Sequence, residues 1–123
     1  MRLGILLFVL LSVNAAWAGL GEKFCAEKAD AYVHGYHQRV LDEIGVIQGY
    51  WEEVDMEYSQ KINQMDQRDE TYHYYVYAGN DEGDTWTWEY VVEIEAWLAA
   101  GGKAHMCSVT SMKFLGVTEE HTN

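Results

Sequence analysis

The segment Thr85–Glu95 constrains this chain more than any other. Trp86, Trp88, Tyr90, Val92 and Ile94 alternate with Thr85, Thr87, Glu89, Val91, Glu93 and Glu95. Successive side chains of a strand point to opposite faces, so this pattern predicts an antiparallel strand with one face buried and the other in water. Such a strand needs neighbours beside it and a cover for its aromatic face. The rest of the chain supplies both. Thr71–Tyr77, reading Thr-Tyr-His-Tyr-Tyr-Val-Tyr, has the aromatic and β-branched density of a second strand. Residues 79–84, Gly-Asn-Asp-Glu-Gly-Asp, join the two as a hairpin loop. Gly101-Gly102 opens the next connection, and Met106–Leu115 is the expected final strand, carrying Cys107.

Residues 46–68 satisfy two periods at once. Tyr50, Val54, Met56 and Tyr58 make a strand face opposite Glu53, Asp55 and Glu57, while Ile47, Trp51, Val54, Tyr58, Ile62 and Met65 make a helical stripe. A second helix would leave a thin sheet, so the expectation is a strand ending near Ser59 and then a polar turn. The cover comes from the N-terminal side. Between Glu22 and Ile44, Cys25, Ala29, Val33, Tyr36, Val40 and Ile44 recur every three or four residues. Glu22, Glu27 and Asp30 come early, Arg39 comes late, and Gly45 suits a C-cap. Gly35, unfavourable in a helix interior, suggests close packing or a local kink.

The predicted fold is therefore α+β: an N-terminal helix packed on an antiparallel sheet of three to four strands, in one domain over residues 19–117 with a frayed tail at 118–123. This outline resembles that of cystatin-like domains. The likeness is architectural, because the Gln-x-Val-x-Gly hairpin signature of cystatin-type protease inhibitors is missing and no functional residue is carried over.

The first 18 residues read as a secretory signal peptide. Arg2 is followed by an apolar stretch from Leu3 to Val13, and Ala16-Trp17-Ala18 places small residues where a signal peptidase inspects them. The stretch is too short for a bilayer, which takes about 20 apolar residues. Cleavage near Ala18 would deliver a secreted or periplasmic chain with no membrane span. Cys25, preceded by Glu22-Lys23-Phe24, lacks the small residues that lipidation requires. Cys25 and Cys107 are the only cysteines, and in an oxidising compartment they should form a disulfide. A bridge over so long a loop is worth roughly 4–5 kcal/mol by the chain-entropy argument.

Charge narrows the partners. With 20 Asp+Glu against 8 Lys+Arg, the formal net charge is −12, one unit more negative once Arg2 leaves. Nucleic acid is excluded, since binding it requires cations that displace counterions. The field should instead steer a basic protein toward the chain. Exposed rings would anchor such a partner, and the candidates are Tyr72, Tyr74, Tyr75, Tyr77, Trp86 and Trp88, with an aromatic ladder that only supports the sheet as the plainer account. Oligomeric state is open, because a free edge strand could pair with another copy.

Two metal readings are weaker. Asp81, Glu82 and Asp84 cluster in the hairpin loop, but aligning Gly83 with the glycine of an EF-hand loop puts Ala78 at the first ligand position. His34 and His37 are three apart on the helix and would need His73 or His105 from the sheet to complete a site. His-Glu-x-x-His is absent, as is any Gly-x-Ser-x-Gly or phosphate-cradling loop. Carboxylate pairs such as Glu52-Glu53, Glu93 with Glu95, and Glu119-Glu120 are what a glycan-acting hydrolase would use. In so acidic a chain, coincidental pairs are expected. No catalytic residue and no cofactor are assigned, and a binding role leads.

Overall fold

The computed structural model describes residues 22–44 and 51–121; the leader, its cleavage site at Ala18, the Gly45 cap and residues 122–123 lie outside them. One helix, α1 (Ala26–Ile44), precedes four strands: β1 (Trp51–Gln64), β2 (Gln67–Gly79), β3 (Thr85–Leu98) and β4 (Ala104–Glu120). The strands form an open antiparallel sheet in the order β1-β2-β3-β4, and α1 packs on one face of it.

β3 behaves as its alternation requires. Trp88, Tyr90, Val92, Ile94 and Ala96 are buried on the inner face, and the same face of β2 supplies Tyr72, Tyr74, Val76 and Ala78. Register ties them together: Tyr72 lies opposite Val92, Tyr74 opposite Tyr90, and Val76 opposite Trp88. Cys25, just before the helix, and Ala29 and Val33 on it enter this core, with Tyr36, Val40 and Leu41 against its margin. The bridge between Cys25 and Cys107 is formed, with Cα atoms 5.9 Å apart, and fixes the start of the helix to β4.

Four expectations are corrected. β1 does not end near Ser59 but continues to Gln64, where Lys61 faces Asp69 and Ile62 faces Arg68. Its polar second half needs no burial because β1 is an edge strand exposed over most of its length. β4 likewise runs past Leu115, and Thr118, Glu119 and Glu120 pair with Thr87, Trp86 and Thr85, so these residues are a ladder and not a frayed tail. The helix begins at Ala26, not Glu22, because the amides of Phe24 and Cys25 turn instead to the Glu70 carboxylate at 2.8 and 3.0 Å. Gly35 serves neither close packing nor a break: a Cβ there would meet nothing within 4 Å, and α1 runs through it.

Glycine does matter in two other places. Gly101 and Gly102, at φ 96° and 79°, make the β3–β4 turn that Ala99 closes by donating to the Lys103 carbonyl at 2.8 Å. Gly116, at φ 126°, sits where the β4 register slips against Glu89 and Tyr90, a bulge that bends the strand.

Polar groups also dock the helix. Glu70 is 1% exposed and accepts from the Phe24 and Cys25 amides and from the Tyr58 and Tyr72 hydroxyls. Its charge therefore sits at the positive end of the helix dipole. Asp30 accepts from the Tyr74 hydroxyl one turn further on. His37, 6% exposed, reaches Tyr90 through Nδ1 at 2.7 Å and Glu52 through Nε2 at 3.0 Å. A carboxylate only accepts, so Nε2 donates to Glu52, while Nδ1 and the Tyr90 hydroxyl share the second hydrogen bond.

Candidate functional site

Strand alternation divides the aromatic candidates. Tyr72, Tyr74 and Trp88 lie in the core under α1, and Trp86 is half-buried at the end of the same inner face. None of the three core rings is offered to a partner. Tyr75 and Tyr77 point the other way, onto the outer face, and His73 joins them there. His73 stacks on Tyr75 with ring centroids 4.6 Å apart and planes 13° from parallel; Tyr75 and Tyr77 follow at 6.3 Å and 11°. The three rings make a continuous stack along the middle of the open face, and Tyr77 at its end is 36% exposed.

Carboxylates flank the stack on both sides. From β1, Glu53, Asp55 and Glu57 pair with Tyr77, Tyr75 and His73; from β3, Glu89 pairs with Tyr75. Diagonal contacts knit the rows: the Tyr75 hydroxyl donates to Glu57 at 3.3 Å, and His73 Nε2 lies 3.0 Å from Glu89. Partial burial, then the Glu57 and Glu89 charges, raise the Tyr75 hydroxyl above its ordinary range. It stays protonated, so the stack presents ring faces and an O–H donor, not a phenolate. Glu93 and Glu95 extend the acidic row along β3, while Lys61 and Lys113 also lie on this face. The result is a flat aromatic strip in a negative field, a surface suited to cations and to stacking.

The sequence offers His73 only as one of two histidines that could complete a site with His34 and His37, yet its place in the strip is readable. It shares odd-numbered positions with Tyr75 and Tyr77, and period two puts all three on one face. His37 had a signal too, falling four residues after Val33 in the series Cys25, Ala29, Val33. Glu70 shares the even-numbered face of Tyr72 and Tyr74, but the two backbone amides that make its burial tolerable come from 46 and 45 residues away.

The metal candidates are dispersed. Asp81 and Glu82 are exposed at the tip of the β2–β3 hairpin. The Asn80 side chain accepts from the amides of Glu82 and Asp84, both at 3.0 Å, and Asp84 meets His121 at 2.8 Å. The loop is thus an Asn-centred turn tied to the last strand. His34 is exposed, His37 is buried with both ring nitrogens engaged, His73 is on the opposite sheet face, and His105 is exposed on β4. Among the described residues, no three His, Cys, Asp or Glu side chains converge as a metal ion would require. No described helix is long and apolar enough to cross a membrane.

By class, then, the chain is a disulfide-bridged α+β domain whose helix covers one face of a four-stranded meander and leaves the other open. Comparison with protein-family models, with curated proteins and with solved structures found no match.

Proposed function

We propose that this chain is an exported binding protein, and that its open sheet face receives a basic protein partner. One observation carries this reading: the His73–Tyr75–Tyr77 stack runs between carboxylates of β1 and β3. The overall charge of −12 adds long-range attraction for the same kind of partner. Lysine and arginine side chains laid across the strip would meet ring faces and carboxylates together. Stacked guanidinium groups gain from both.

A hexa-arginine peptide tests the site, with a hexa-glutamate peptide as control. In backbone amide NMR at low salt, hexa-arginine should shift Glu53, Asp55, Glu57, His73, Tyr75, Tyr77 and Glu89. The shifts should shrink as salt approaches 1 M, where the screening length is about 3 Å. Tyr75→Ala with Tyr77→Ala, which leaves the net charge unchanged, should weaken binding roughly tenfold. No shift at low salt, or shifts that ignore this face, refutes the proposal.

A further inference from the structure

On the opposite side of the molecule, a groove of about 720 Å³ opens between the C-terminal half of α1 and the ends of β3 and β4. Its size is that of sites for small organic molecules. Tyr36, Trp86, Phe114 and Val117 form its walls over the buried Trp88. The rings are arranged as facing pairs: Trp86 and Trp88 stack at 6.3 Å, and Tyr36 approaches Phe114 at 6.0 Å.

The charges at the rim explain what such a groove would accept. Glu43 projects from the helix and Glu119 from β4, the latter also meeting the His121 ring at 3.1 Å. The last turn of α1 contains no basic residue, and Asp42 and Glu43 occupy it instead. Carboxylates at the negative end of a helix dipole oppose its stability. Local choices that work against the fold mark the places where function is expected. A cation held between Glu43 and Glu119 would relieve the conflict. The groove already shows that its rings take a positive charge, since the Arg39 guanidinium lies 5.3 Å from the centre of the Tyr36 ring.

We propose that this groove is a second binding site, for a small organic cation: a substituted ammonium group on an apolar body. The ammonium lies against the Trp86 and Phe114 rings between Glu43 and Glu119, and the apolar body fills the space toward Val117. Arg39 is a competing positive charge at the rim. The site is independent of the open sheet face.

Benzyltrimethylammonium is a suitable probe, with benzyl alcohol and benzoate as the neutral and anionic counterparts. Amide NMR of the disulfide-bonded chain should show saturable shifts at Tyr36, Glu43, Trp86, Val117 and Glu119 with the cation, weaker ones with the alcohol, and none with benzoate. Glu43→Gln should weaken the affinity about threefold, and Arg39→Gln should strengthen it by a similar factor. Trp86→Leu should weaken it roughly tenfold. The two helix-surface variants decide the matter if Trp86→Leu fails to fold. Tyr75→Ala should leave this binding unchanged, which separates it from the hexa-arginine experiment. Benzoate binding as well as the cation, shifts confined to the open sheet face, or weaker binding in Arg39→Gln would each overturn the proposal.

Discussion

Glu70 joins the segment leading into α1 to both β1 and β2. It is a carboxylate taken almost wholly out of water, an arrangement that is tolerable because four donors surround it. Burial, followed by the Glu70 hydrogen bond and charge, raises the Tyr58 and Tyr72 hydroxyls above their ordinary range, so both remain donors. Removing the carboxylate strands the Phe24 amide and the Tyr72 hydroxyl, and leaves the Cys25 amide only the Tyr72 oxygen at 3.3 Å and the Tyr58 hydroxyl only the Glu22 carbonyl at 2.9 Å. Glu70→Ala should therefore lower unfolding stability by about 3–4 kcal/mol, whereas Tyr58→Phe, which deletes one donor, should cost about 1 kcal/mol. Urea unfolding with the disulfide intact measures both. Equal midpoints for the two variants would show that the donors find water instead.

At the scale of elements, legibility in the sequence followed burial. β3 was readable because its inner face is buried almost from end to end, so its alternation is clean. β1 was ambiguous because it is exposed over most of its length, and an edge strand has little burial to impose a period. The helical stripe was seen, but not His37, whose role depends on Tyr90 and Glu52 across the chain. Alternation separates Tyr72 and Tyr74 from Tyr75 and Tyr77, but only the helix decides which set is covered. The end of β4 was misread for want of a local signal. His121, 37 residues from Asp84, pins it to the hairpin loop. The hydrogen bonds to His121 and Asn80 hold the Asp84 carboxyl below its usual range, and the bond to Asp84 raises the His121 imidazole above its own. The Asp84 contribution is present above the ordinary carboxylate range and lost as pH falls through its lowered value. That of His121 is present below the ordinary imidazole range and lost as pH rises through its raised value. Amide exchange at Thr118, Glu119 and Glu120 should accordingly be slowest, after correction for intrinsic rates, in the window between those two values. His121→Ala should abolish the window.

For the molecule as a whole, the Cys25–Cys107 bridge closes a loop spanning 82 positions and encloses α1, β1, β2 and β3. Its chief effect is on the unfolded chain, which it keeps compact. Replacing both cysteines by Ala should cost roughly 4–5 kcal/mol and steepen the urea dependence, because more surface is exposed on unfolding. An unchanged midpoint would show that the fold stands without the bridge. The sheet edges are managed separately: carboxylates line β1, and bulges interrupt β4, both of which discourage strand addition. The bridge has a further consequence in any milieu where proteases are abundant. A single cut at the hairpin tip, or anywhere else inside the closed span, yields two fragments that are still one covalent molecule, so damage there need not mean dissociation.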